Sequence, residues 1–109
     1  MADLNARYGP NPPPLAGTTL VSAGAIGTYV VLRDIHIVNT TDTAATFTLG
    51  INGLTAATAL FFNVTLQPKD FITRTGNLPL NGGATPDTLQ ASQGTAGAIT
   101  ITIGGVSGP

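Results

Sequence analysis

Cysteine, tryptophan and glutamate are absent from this 109-residue chain, and charge is scarce. Without cysteine there is no disulfide, no thiolate metal ligand and no cysteine nucleophile, so the fold must stand on packing alone. Charged residues make up 8 % of the chain, against roughly 25 % in soluble domains generally. They are Asp3, Asp34, Asp42, Asp70, Asp87, Arg7, Arg33, Lys69 and Arg74, for a net charge of −1. No Lys/Arg cluster exists, which removes the electrostatic footprint of nucleic-acid binding and the polybasic segment that anionic membranes attract. Neither nucleic acid nor membrane is an expected partner. No run approaches the roughly 20 apolar residues of a membrane span, and the opening MADLNARYGPNPPP has no signal-peptide core. Synthesis and assembly in the cytoplasm are expected.

What is present argues for a folded all-β chain. Hydrophobic residues reach 42 % with a mean hydropathy of +0.30, the reverse of the disordered signature. The length fits one domain with one core. Apolar residues alternate with threonine at Phe47, Leu49 and Ile51, and again at Ile99, Ile101 and Ile103, as a half-buried strand requires. Residues 58–66 place Leu60, Phe62, Val64 and Leu66 on one face and leave Phe61 on the polar one. Residues 29–39 change parity part-way: Val30 and Leu32 oppose Ile35 and Ile37, which predicts a β-bulge near Arg33 and Asp34. Shorter strands are expected over 18–22, 71–75, 78–80 and 87–92, separated by Gly-, Asn- and Asp-rich turns. No capped run has helical spacing, and 18 threonines suit the solvated face of pleated strands. The expected architecture is a single antiparallel β-sandwich over residues 18–109, of jelly-roll or Greek-key type, with seven or eight strands. Its expected core is Ile35, Ile37, Phe47, Leu49, Ile51, Leu60, Phe62, Val64, Leu89, Ile99, Ile101 and Ile103.

Residues 1–17 stand apart. Pro10, Pro12, Pro13 and Pro14 fix φ and remove amide donors, so this segment reads as an extended arm. Laid on a neighbouring subunit, it would offer Arg7, Tyr8 and the four prolines as contact residues, with Phe61 as a further anchor from the sandwich.

The catalytic inventory is thin. The lone histidine, His36, shares a strand face with Asp34, an acid/base couple in principle, but no nucleophile accompanies them. The remaining aspartates begin turns or strands, where a carboxylate accepts backbone amide bonds. No D-x-D-x-D-G loop is present for calcium. The glycine-rich stretch 104–108 opens no helix, so it cannot cradle phosphate and reads as a tail. No enzyme activity, metal or cofactor is expected.

The order of parts carries a resemblance: an extended N-terminus, a strand ending Ile35-His36-Ile37-Val38-Asn39, a Thr-rich strand through Phe47 and Leu49, a short Leu78-Pro79-Leu80 segment, an Asp87-Thr88-Leu89 strand, and a terminal alternating strand through Ile103. This order is similar to that of small β-sandwich virion proteins of tailed bacteriophages, over residues 18–106. The pattern departs at Gly83-Ala84-Thr85-Pro86-Asp87, where a shorter turn would stand. The resemblance implies a non-enzymatic structural subunit of the virion, present in several copies, of capsid-decoration (cement) or minor tail type. Implied partners are other copies of the chain, in a trimer by analogy, and major capsid or tail proteins. The competing class is a module that binds a host-surface receptor or glycan. The lack of tryptophan, with Tyr8, Tyr29 and Phe61 as the aromatic candidates, counts against it.

Overall fold

A computed structural model describes residues 4–13 and 15–108, without the side chains of residues 4–6, 10 and 11. Eight strands run in chain order: β1 (Leu4–Asn11), β2 (Thr18–Ser22), β3 (Tyr29–Asn39), β4 (Ala45–Ile51), β5 (Ala59–Leu66), β6 (Phe71–Asn81), β7 (Thr88–Gln93) and β8 (Ile99–Gly108). They pair as a nested antiparallel ribbon, β4 with β5 innermost, then β3 with β6, β2 with β7, and β1 with β8. Rolling that ribbon up sets β3 beside β8 and β4 beside β7. The result is two four-stranded sheets, β1-β8-β3-β6 and β2-β7-β4-β5. Of the two expected topologies this is the jelly roll, the arrangement shared by viral capsid, lectin and cupin domains.

The expected bulge in β3 is present. Between Leu32 and Asp34 the register shifts against both β6 and β8, so Val30 and Leu32 point into the core on one side of it and Ile35 and Ile37 on the other. A single parity switch therefore keeps an eleven-residue strand buried along one face.

A second bulge corrects the expected core. Phe47 pairs with Val64 and Leu49 with Phe61, so two steps along β4 match three along β5, and Thr48 alone faces Phe62 and Asn63. Asn63 takes the left-handed conformation (φ 47°), which Asn tolerates better than most residues. The parity of β5 flips there. Phe61 turns inward, its ring centroid 5.6 Å from that of Phe47, and Phe62 is left 48 % exposed. Phe61 is therefore packed against the core and not a free anchor, whereas Phe62, expected inside, is outside. Ile51, Leu60 and Val64 are half-buried. Phe61→Ala is expected to cost about 2 kcal/mol and Phe62→Ala less than about 0.5 kcal/mol. Urea denaturation of the two variants checks the order, and equal losses would contradict this bulge.

Other boundaries also move. The segments expected over 71–75 and 78–80 are one strand, β6, which carries Gly76 at φ 126° beside the β3 bulge. The glycine-rich end, expected as a tail, is the second half of β8, paired with both β1 and β3. The glycines fit that place, since a Cβ on Gly105 would strike the Val31 carbonyl and one on Gly108 the Tyr29 ring. Of the expected arm, residues 4–11 form a strand that lies along β8 as an edge of the chain's own sheet.

Candidate interaction surface

Three buried or half-buried polar residues hold the strand ends and so present the outer faces. Asn39, fully buried at the end of β3, donates from Nδ2 to the carbonyls of Thr43 (2.8 Å), Leu66 (3.1 Å) and Gln67 (3.3 Å). Its Oδ1 accepts from the Thr41 amide and hydroxyl, at 3.0 and 2.7 Å. One side chain thus joins the β3–β4 turn to the β5–β6 turn. Held in this way, Asn39 is unavailable as the glycosylation acceptor that Asn39-Thr40-Thr41 resembles. Lys69 supports the same corner through Nζ to the Thr40 carbonyl (2.9 Å) and an exposed ion pair with Asp42 (3.7 Å). Gln93, at the end of β7, donates to the Pro13 carbonyl and accepts from the Ile99 amide at 2.7 Å. That pins the crossover from β1 to β2 against the start of β8, and Pro13 is fully buried there.

Asp87 does the same at the opposite end. Its Oδ2 accepts from the Asn81 amide (2.9 Å) and its Oδ1 from the Asn52 side chain (3.1 Å). Asn52 in turn accepts from the Thr88 amide at 2.8 Å. The Asn81 amide above all, then the Asn52 amide, holds the Asp87 carboxyl below its ordinary value, with burial opposing weakly. A depressed folded-state value means that the stabilisation is complete above the unfolded value, near about 4, and is lost as the pH falls through the folded one. Asp87→Asn is expected to be less stable than the parent at neutral pH, with the gap closing below about pH 4. Thermal midpoints across that range test it, and a gap independent of pH would contradict the role given to the charge.

Among the described residues no buried side-chain nitrogen or oxygen lacks a partner, and no three His, Cys, Asp or Glu side chains gather. On β1-β8-β3-β6, register and alternation put Arg7, Asp34 and Gly104 in one row, with Thr102, His36 and Thr73 in the next. His36 and Asp34 share a face as expected. The imidazole Nδ1, however, is 3.0 Å from the Thr73 hydroxyl and the ring is 5.4 Å from that of Phe71, so the polar partner of His36 is a threonine. Phe71 is 58 % exposed. On β2-β7-β4-β5 a cleft of about 180 Å³ lies beside Leu15, lined by Thr46, Thr48, Asn63 and Ser92.

The contact residues expected from sequence scatter across these features. Arg7 is exposed on the outer face, and Pro12 is exposed at the crossover. Tyr8 is half-buried against the core opposite Ile103, and Pro13 is fully buried. Pro10 lies in β1, its side chain outside the described set, and Pro14 lies outside the described residues. Asp34 and Phe71 were not among the expected contacts. Their signal was the outward parity of β3 and β6, readable only once the strands are in register.

No known protein family matches the chain, nor does any curated protein. Solved structures give partial likenesses. The structure of infectious bursal disease virus Gt strain aligns with 97 % of this chain and 29 % of its own, at 20 % identity and a TM-score of 0.37. That of the Gx strain aligns with 95 % and 29 %, at 14 % identity and 0.43. Dimeric latent PorU from Porphyromonas gingivalis aligns with 95 % and 12 %, at 11 % identity and 0.45. The chain spans less than a third of the length of each.

Proposed function

We propose that the chain is a non-enzymatic structural subunit of a tailed-phage virion, present in several copies on the capsid or tail and working by contact with its neighbours. The observation that carries this reading is where its polar chemistry lies. Asn39, Gln93 and Asp87 bind the strand ends of the same chain, which leaves a braced jelly roll whose outer faces are threonine-rich and sparsely charged, with Arg7, Arg33 and Asp34 on one of them. A surface with so few charges gains little protection against association, which suits a subunit covered by partners. The N-terminal segment takes part through its own sheet: as edge strand β1 it stiffens β8 and places Arg7 on the outer face. Deleting residues 1–17 would therefore expose β8 as a new edge and impair the fold as well as attachment. Immunogold labelling of particles from cells that carry the gene tests the reading. Regular label on head or tail is expected, and label confined to unassembled protein would contradict it.

A second reading, a module for a host-surface glycan, draws on one observation, the exposed Phe71 ring beside His36 and Thr73. Aromatic rings flanked by hydrogen-bonding groups suit sugar faces. Binding to a glycan array that disappears with Phe71→Ala would favour it.

A further inference from the structure

Arg7 and Asp34 are opposite charges on one outer face, and neither has a side-chain partner among the described residues. Both stand opposite Gly104, Arg7 from β1 on one side of β8 and Asp34 from β3 on the other. Two strand spacings separate them, roughly 10 Å between Cα atoms. Asp34 leans over the row between, its Oδ2 3.6 Å from where a Cβ on Gly104 would sit. Among the described residues the ion pair is Lys69 with Asp42, at a corner of the sandwich.

We propose that two copies of this chain pack face to face through their β1-β8-β3-β6 sheets, about a two-fold axis along β8, with Arg7 of each copy paired to Asp34 of the other. The geometry selects that axis. Rotation about β8 carries β1 over the β3 position of the partner and leaves height along the strands unchanged. Arg7 and Asp34 are at one height because both pair with Gly104. A two-fold contact then forms the same ion pair twice, which an isologous interface requires. Thr100 and Thr102 of β8 lie on the axis and are small enough for sheets about 10 Å apart. Gly104 leaves its own row open for the guanidinium and carboxylate to cross.

About an axis along β8 the overlapping strands are β1, β8 and β3 of each copy, which at about ten residues each offer roughly 460 Å² of sheet plane per copy, while β6 overhangs. Two such faces, roughly 920 Å² in total, fall below the about 1,200 Å² of stable specific interfaces and in the range of weak, transient contacts. The dimer is therefore concentration-dependent, its register fixed by the charges more than by apolar area. Salt screens the Arg7–Asp34 pairs and so weakens the contact, while Arg33, exposed in the bulge beside Asp34, opposes the partner's Arg7 and keeps the affinity modest.

This contact deepens the reading of a self-associating subunit and takes its biological sense from it, but its test is separate. Sedimentation and light scattering of the full chain at rising concentration are expected to show mass climbing toward twice 11.0 kDa. Arg7→Asp and Asp34→Arg should each weaken association about tenfold, and the double swap R7D/D34R should restore it to within about threefold of the parent. Thermal unfolding of each variant reports whether the fold is intact, and Arg7→Ser replaces Arg7→Asp should that edge strand not tolerate the acid. A monomer at every concentration, a trimer, or a double swap no better than the single variants would overturn the proposal. Gold-labelled particles with a monomer in solution would refute this contact alone. A swap-sensitive dimer absent from particles would refute the virion reading alone.

Discussion

Asn39→Asp is expected to remove about 4 kcal/mol of stability and to lower the thermal midpoint by roughly 15–30 °C. Asn39 is fully buried, and its amide nitrogen donates to three carbonyls from two different turns. Aspartate has nearly the same shape but brings an oxygen where those carbonyls need a donor. The acceptor bonds from Thr41 survive, while the charge is buried against three carbonyl dipoles with no cation beside it. Lys69 does not relieve this, because its ammonium is turned to the Thr40 carbonyl and Asp42. Asn39→Ala leaves the same carbonyls unpaired without adding a charge, and should cost about 3 kcal/mol. Urea and thermal unfolding order the two variants. A loss under about 1 kcal/mol for Asn39→Asp would show that the two turns are held by other means.

Phe47→Ala is expected to cost about 3–5 kcal/mol, the range for emptying an aromatic site in a core that cannot collapse around it. Phe47 is 1 % exposed, on a strand flanked by β5 and β7, and the inward face of the β5 bulge places Phe61 against it. The two rings should therefore couple. A double-mutant cycle of Phe47→Ala with Phe61→Ala is expected to show roughly 0.5–1.5 kcal/mol of interaction, and the same cycle with Phe62→Ala close to none. Coupling to Phe62 instead would mean that β5 keeps the unbulged parity its alternation suggests.

Those two bulges show what was legible in the sequence. In β3 the apolar positions on either side of Arg33 conflict in parity, and a conflict in a strand buried on one face has few remedies, so the bulge could be read directly. In β5, Leu60, Phe61 and Phe62 are all apolar, so either parity satisfies the pattern and Asn63 alone hints at the left-handed step. The choice is made by Phe47 and Leu49 across the sheet, which is long-range information.

The N-terminal segment differs from its expectation for a related reason. Of its prolines Pro10 alone lies in β1, and the partner of that strand, the 104–108 half of β8, is too rich in glycine to look like a strand. Gly105 is needed there because the Val31 carbonyl approaches the β8 backbone closely, and the Tyr29 ring lies over Gly108. The buried polar residues Asn39 and Gln93 looked like strand-end and turn residues, and only the meeting of distant turns turns them into core. Of the two charges in the proposed contact, Arg7 is one of seven contact residues expected from sequence, whereas the sequence pattern matches Asp34 to His36. Bringing Arg7 and Asp34 into one row takes the registers of β1, β8 and β3 together.

As proposed above, this jelly roll works as a repeated building part of a particle. Counting the chain in density-purified particles, by mass spectrometry against isotope-labelled peptides of the chain, tests it most directly. The account predicts a fixed number of many copies per particle, constant across preparations and co-migrating with the capsid or tail proteins. Less than one copy per particle, with the chain left in the unassembled fraction, would contradict it.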